Sequence, residues 1–231
     1  MFLSLQNPQD NIITLYHAST IPVEKPKWDY TPSKEKRDFG VGFYTSREIE
    51  YPIMPYSDND TVILNQYLLD TSVLNILVLE NNIHWLLAVG FSRRDFKNYP
   101  EYHAIRDRYR KWLTNYDLII GTISNDYFFS SIENFLDGVM SDYVALNLAQ
   151  MMRYGTQYVM KSDKACNSLA FQYSWQVETP FLHRLRDQRK KEKSDMGALV
   201  LAERRKLQRQ DTGRYIDEII MEMRNNDKLP F

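Results

Sequence analysis

Asp38-Phe39-Gly40-Val41-Gly42-Phe43-Tyr44-Thr45 is the stretch on which the fold turns. Two glycines two residues apart allow a tight backbone path. The aromatic and β-branched residues after them favour an extended chain. The reading is a glycine turn opening a short aromatic strand over residues 41–45. Upstream, residues 11–16 (NIITLY) are apolar and β-branched and run into the polar His17-Ala18-Ser19. They read as a strand that delivers His17 at its C-terminal end. Between the two, residues 21–37 hold three prolines and many charges, a surface loop.

Working downstream, Pro52 and Pro55 make residues 51–59 irregular, and residues 62–69 and 73–79 are two apolar runs that read as neighbouring strands. Asn82 caps a helix carrying Trp85, Leu86 and Val89, with Gly90 as its end. Residues 102–113 repeat apolar positions at helical spacing, and residues 117–121 read as a buried strand closed by a glycine turn. Helices follow over residues 130–136 and 141–153, the second closed by Gly155, and then strands over 156–160 and 169–177. Beyond Pro180 the character changes. Residues 181–193 read as a basic helix and 196–210 as a second, partly continuous with it. Tyr215, Ile216, Ile219, Ile220 and Met223 form an apolar stripe at helical spacing that needs something to pack on. The expectation is an α+β body over residues 1–180 and an all-helical extension over 181–231.

Composition narrows the classes. A chain of 231 residues is long enough to bury a real core, and 43% hydrophobic with 26% charged residues excludes disorder and a membrane-spanning class. The single Cys166 excludes an internal disulfide and a multi-cysteine zinc site. No basic, apolar leader opens the chain and no run approaches a membrane span, so a cytoplasmic setting without membrane partners is expected. The four histidines, at 17, 84, 103 and 183, lack metal-ligand spacing, so no metal is expected. Net charge is −1, yet residues 181–209 carry ten Lys/Arg against four Asp/Glu. Such a run is commonly a solvated face; it also suits an acidic partner, with Arg189, Lys190, Lys191, Lys193, Arg204 and Arg205 as contacts.

Three short motifs occur in a fixed order: LYHAS at 15–19, DFGVGFYT at 38–45 and QYVM at 157–160. Taken singly each is background. Together they resemble the His…Tyr…Glu signature of NAD-dependent ADP-ribosyltransferases, with Gln157 where the carboxylate stands. More closely they resemble a bacterial DUF3990-like family of unknown function related to those enzymes, over about residues 12–178. The resemblance implies an ADP-ribosyltransferase-like split antiparallel sheet with flanking helices, plus the C-terminal helical extension. It also implies NAD as substrate, and a toxin of a toxin–antitoxin or phage-defence pair. Its implied partners are a small antitoxin and a macromolecular target, nucleic acid or protein.

Residue by residue, the resemblance puts a ribose contact on His17 and a carboxamide contact on the Ala18 backbone beside Ser19. It puts a ring stack on Tyr44 and the nicotinamide-ribose contact on Gln157. His17, Tyr44 and Gln157 are thus the catalytic candidates. His17, Ala18, Ser19, Asp38, Gly42 and Tyr44 are the NAD-binding candidates. Breaking the nicotinamide–ribose bond builds an oxocarbenium-like cation that a nearby carboxylate would stabilise. A neutral amide only orients hydroxyls. Three readings follow: a slower transferase, one that borrows an acid from Asp38 or Asp126, or a non-catalytic NAD-binding or interaction module. On this reading Gln157→Glu would retain or raise turnover.

Overall fold

A computed structural model describes residues 11–29, 37–94, 96, 100–124, 126–151 and 155–225. Seven strands, β1 (Ile12–Ser19), β2 (Phe43–Ser46), β3 (Ile63–Asp70), β4 (Ile76–Leu79), β5 (Leu118–Thr122), β6 (Thr156–Met160) and β7 (Leu169–Gln176), form one sheet. Their order is β4-β5-β6-β2-β1-β3-β7. Every neighbouring pair is antiparallel except β4 with β5. Around the sheet stand α1 (Glu50–Ile53), α2 (Ile83–Arg93), α3 (His103–Leu113), α4 (Asp126–Leu136), α5 (Asp142–Met151), α6 (Asp163–Asn167), α7 (Thr179–Gln208) and α8 (Ile216–Asn225). The protein is a mixed α+β fold with flanking helices.

The sheet is two blocks joined at a seam. β1 and β3 pair along their full length, from Ile12↔Asp70 to Ser19↔Ile63, and β2 pairs all its residues with β6. Between β1 and β2 only Tyr16↔Ser46 is in register. One residue further along β1, the His17 ring places Nδ1 2.8 Å from the Tyr44 carbonyl oxygen. A side chain thus occupies a carbonyl that a continued backbone ladder would have used.

Period-two alternation sends side chains of the central strands into two different cores. Ile119 and Val159 point into the larger one, with Trp85, Phe91, Ile132, Phe135 and Leu148 from the helices. Phe43, Leu118, Tyr158 and Met160 point into the other, with Leu15, Tyr67 and the α6 residues Ala165 and Cys166. A third cluster covers the β1–β3 block, where Ala18 and Leu64 meet Ile53, Leu182 and Leu185.

Several expectations need correction. β1 continues through His17 to Ser19, because Ala18 and Ser19 still pair with Leu64 and Ile63; His17 is an internal strand residue. The two apolar runs that became β3 and β4 are not neighbours: β3 lies between β1 and β7, and β4 pairs in parallel with β5. Asn82 does cap α2, its side-chain oxygen accepting from the N–H groups of His84 and Trp85. Gly90 does not end that helix, which runs on to Arg93. A Cβ there would stand 2.9 Å from Leu136 Cδ1, so Gly90 is where α2 and α4 approach. Gly121 likewise stays in β5, opposite Gln157, where the Phe39 ring lies against its Cα and would be 2.6 Å from a Cβ.

Beyond Pro180 the two basic helices form one element, α7, which opens with Pro in its first turn, a favoured position. Its Leu182 and Leu185 are buried under the sheet. The side chain of Lys193, part of the expected basic face, lies outside the described residues, as do that of Asp126 and residues 30–36 of the proline-rich loop. The stripe on α8 does not stand free. Ile216, Ile219, Ile220 and Met223 are each at most 3% exposed, inside the larger core, while Tyr215 remains exposed. The tail is also latched to α5 through its backbone: Asp142 N–H donates to Arg214 O, and Arg214 N–H to Asp142 Oδ1.

Candidate functional site

The glycine turn is held from both sides. Gly40 has φ +71°, a left-handed backbone that suits glycine. The Tyr44 hydroxyl donates to Gly40 O at 2.7 Å and accepts from Phe39 N–H at 3.1 Å. Just past the end of β6, the buried Lys161 ammonium donates to Phe39 O at 2.6 Å and to Val41 O. Burial pulls Lys161 down to about 8. The turn therefore arrives at β2 with its carbonyls committed, and it aims Asp38 inward.

Asp38 is the centre of a buried polar network. Its Oδ1 accepts from Arg93 Nη1 at 3.2 Å, and its Oδ2 accepts from Ser124 N–H at 2.8 Å and from Gln157 Nε2 at 2.7 Å. Arg93 Nη1 also donates to Ser124 O at 3.0 Å, and the guanidinium stacks 4.1 Å over Phe129. Burial pushes the Asp38 carboxyl above its ordinary range, while the Arg93 charge and the hydrogen bonds from Ser124 and Gln157 oppose that. Every contact made to it is a donor, so the carboxylate is the form this site satisfies. The Ser124 hydroxyl is buried and has no partner among the described residues.

Gln157 is 6% exposed. Its Nε2 donates to Asp38 Oδ2 and, at 3.1 Å, to Thr122 O. Both N–H groups are consumed, which leaves Oε1, an acceptor, as its remaining polar atom. Gln157 shares its face of the sheet with Val159 and, across β2, with Tyr44, because Ser46 pairs with Gln157 and Tyr44 with Val159. The Arg37 guanidinium stands 5.5 Å from the centre of the Tyr44 ring.

His17 sits in the seam, its ring against Phe43 at 4.3 Å between centres. Burial, opposed by the bond to Tyr44 O and aided by Arg37, lowers its pKa to about 4. It is neutral at pH 7. A carbonyl oxygen only accepts, so Nδ1 carries the proton and Nε2 presents a lone pair. The folded protein therefore binds this proton less readily than the unfolded chain, and acid favours unfolding through it. The contribution is intact above about pH 6.5 and shrinks steadily toward pH 4. Relative to wild type, His17→Gln should flatten the thermal midpoint across that window; parallel curves would show that His17 titrates normally.

The structure thus places His17, Tyr44, Gln157 and Asp38 on three adjacent strands and one turn, with the His17 ring on the Phe43 face of the sheet and the Tyr44 ring and Gln157 on the other. The other NAD-binding candidates are differently placed. Ala18 is buried against the third cluster, so only its backbone is offered, and no described residue other than glycine has positive φ, so it carries no such strain. Ser19 spends its hydroxyl on Ile21 O and on Asn65 Nδ2. Gly42 faces β6, where a Cβ would stand 2.5 Å from Val159 Cγ1. Asp38 holds Gln157. Arg93, Ser124, Asn65 and Lys161 were not singled out in the sequence. Lys161, directly after an apolar strand, carried a signal; Arg93 beside Arg94 carried none that separates them. Burial pushes the Cys166 thiol up to about 12, so it is no nucleophile at neutral pH.

The chain matches a family described as "Protein of unknown function (DUF3990)" over residues 13–171. It belongs to that family. The matched DUF3990 span runs from β1 into β7 and takes in the seam, the glycine turn and Gln157. No curated protein and no solved structure matches the chain. No helix among the described residues is long and apolar enough to cross a membrane.

Proposed function

We propose that this DUF3990 protein is an NAD-dependent ADP-ribosyltransferase with its site at the seam between β1 and β2. The observation that carries the reading is the arrangement at that seam. A neutral His17 with an acceptor nitrogen at Nε2, the Tyr44 ring and a Gln157 amide of fixed orientation lie on neighbouring strands, in the order of the His…Tyr…Glu signature. An ADP-ribosyltransferase-like split sheet is the finer fold on this reading, and the single registered β1–β2 pair supports it.

In the proposed reaction the bond from nicotinamide to the ribose carbon breaks, and its electron pair leaves with the nicotinamide. A nucleophile of the target bonds the same carbon and releases its proton to solvent. His17 Nε2 accepts a ribose hydroxyl proton in a hydrogen bond. The Tyr44 ring takes the cationic pyridinium on its face, and the Arg37 guanidinium 5.5 Å from the centre of that ring supports a cation contact there. Gln157 Oε1 orients a ribose hydroxyl beside the carbon that gains charge. The target is a macromolecule, nucleic acid or protein, and the setting is a toxin of a toxin–antitoxin or phage-defence pair with a small antitoxin as partner. The resemblance of the motifs alone supports that setting.

A second reading, NAD binding without turnover, is favoured by one feature: an amide stands where charge stabilisation calls for a carboxylate. Labelled NAD incubated with the protein and a cell lysate separates the two. Transfer of label and release of nicotinamide are expected, with His17→Ala and Tyr44→Ala each lowering the rate roughly a hundredfold while the proteins stay folded. Tyr44→Phe keeps the ring and should lose less. Binding without release would leave only the second reading, and absence of binding would sink both.

A further inference from the structure

We infer that Asp38 and Gln157 form one acid–amide pair in which Asp38 is a positioning residue: it fixes which way the Gln157 amide points and makes position 157 hostile to a second carboxylate. Its activity arm rests on the proposed function; its stability arm does not.

The geometry carries it. Asp38 Oδ2 cannot turn away, because Ser124 N–H holds it at 2.8 Å and Arg93 holds the other oxygen at 3.2 Å while bonding Ser124 O. Both neighbours of Gln157 Nε2, the Asp38 carboxylate at 2.7 Å and the Thr122 carbonyl at 3.1 Å, are acceptors only. Rotating the amide by half a turn would set Oε1 against both of them. The amide therefore has one orientation, with Oε1 as the acceptor left over, and its bond to Asp38 is of the charge-assisted kind.

A glutamate in the place of Gln157 would put a carboxylate oxygen where Nε2 now stands, within hydrogen-bond distance of Asp38 Oδ2. Two carboxylates that close cannot both ionise readily, and the pair holds a shared proton to a higher pH. The substitution is then no simple return to a charged acceptor: near neutrality the pair either keeps a proton or destabilises the fold. Among the described residues, the other charged or titratable groups facing the pair are Arg93 from α2, Tyr44 from β2 and Arg37 at the Tyr44 ring. Burial raises Tyr44 above its ordinary range, so it does not titrate near neutrality. The expectation from sequence alone, that Gln157→Glu retains or raises turnover, is reversed.

The test compares wild type, Gln157→Glu, Asp38→Asn and the double variant Asp38→Asn/Gln157→Glu, which keeps one carboxylate in the pair. Thermal midpoints are measured from about pH 5 to pH 8. Gln157→Glu should fall progressively below wild type as pH rises, and the double variant should lose that pH dependence. Nicotinamide release at about pH 8 should drop about tenfold or more in Gln157→Glu and recover in part in the double variant. A merely structural role for Asp38 would give no recovery. A Gln157→Glu protein whose midpoint tracks wild type at every pH overturns the pair. So does one that matches or exceeds wild-type release at about pH 8. If wild type itself releases no nicotinamide, the functional reading fails, and the midpoints alone decide the pair.

Discussion

Asp38→Ala is expected to cost the fold roughly 3–5 kcal/mol, the loss typical when one partner of a buried ion pair is removed and the other stays behind. Arg93, with its side chain 13% exposed, would lose the Asp38 carboxylate. The Ser124 N–H and one Gln157 N–H would lose their acceptor in the same stroke. A domain stable by about 5–15 kcal/mol loses roughly a fifth or more of its margin to such a change. At this chain length that is a fall of roughly 6–20 °C in the thermal midpoint. Combining it with Arg93→Met should recover part of the loss, because Arg93 leaves the network together with Asp38 and contacts in one network are not additive. Urea denaturation of the three variants checks both parts. A loss under about 1 kcal/mol for Asp38→Ala would mean that water replaces Asp38 at no cost, and that the network is not the keystone of the turn.

Local chemistry was legible in the sequence wherever one short segment decided the outcome. The β-branched runs became strands, Asn82 became a cap, and the spacing of Ile216, Ile219, Ile220 and Met223 became a buried helix face. What failed was information held by a partner far along the chain. Gly90 and Gly121 look like turn residues in isolation. They are glycines because Leu136 and Phe39 lie against them, and nothing near residue 90 or 121 announces that. The adjacency of the runs that became β3 and β4 suggested a pair, yet β4 takes β5 as its partner and the two strands end up apart in the sheet. The candidate site divides the same way. His17, Tyr44 and Gln157 could be singled out because their motifs are ordered. The role of Asp38 could not be read, since it depends on Arg93 and Gln157, 55 and 119 residues away. Its neighbours also turn it from a reserve acid into a group that orients an amide.

A chain ending at residue 210 is expected not to fold. The reading of 1–180 as a body and 181–231 as an appendage makes the opposite claim, so the truncation decides between them. Removing α8 strips Ile216, Ile219, Ile220 and Met223 from the larger core, which also holds side chains from α2 to α5. Truncating even one such side chain to alanine costs about 2–5 kcal/mol. Four together come to roughly 8–20 kcal/mol, the scale of the whole stability of an ordinary domain. The hydrogen bond from the Tyr102 hydroxyl to Asp217 and the two between Asp142 and the Arg214 backbone would go as well. The single variant Ile219→Asp, which buries an unpaired carboxylate, should reproduce most of the effect without shortening the chain. Circular dichroism and gel filtration of both proteins are the measurements. A shortened chain that elutes as a folded monomer with a cooperative melt would show that the body holds its core alone. The apolar stripe on α8 would then be cladding over a surface that can stand exposed to water.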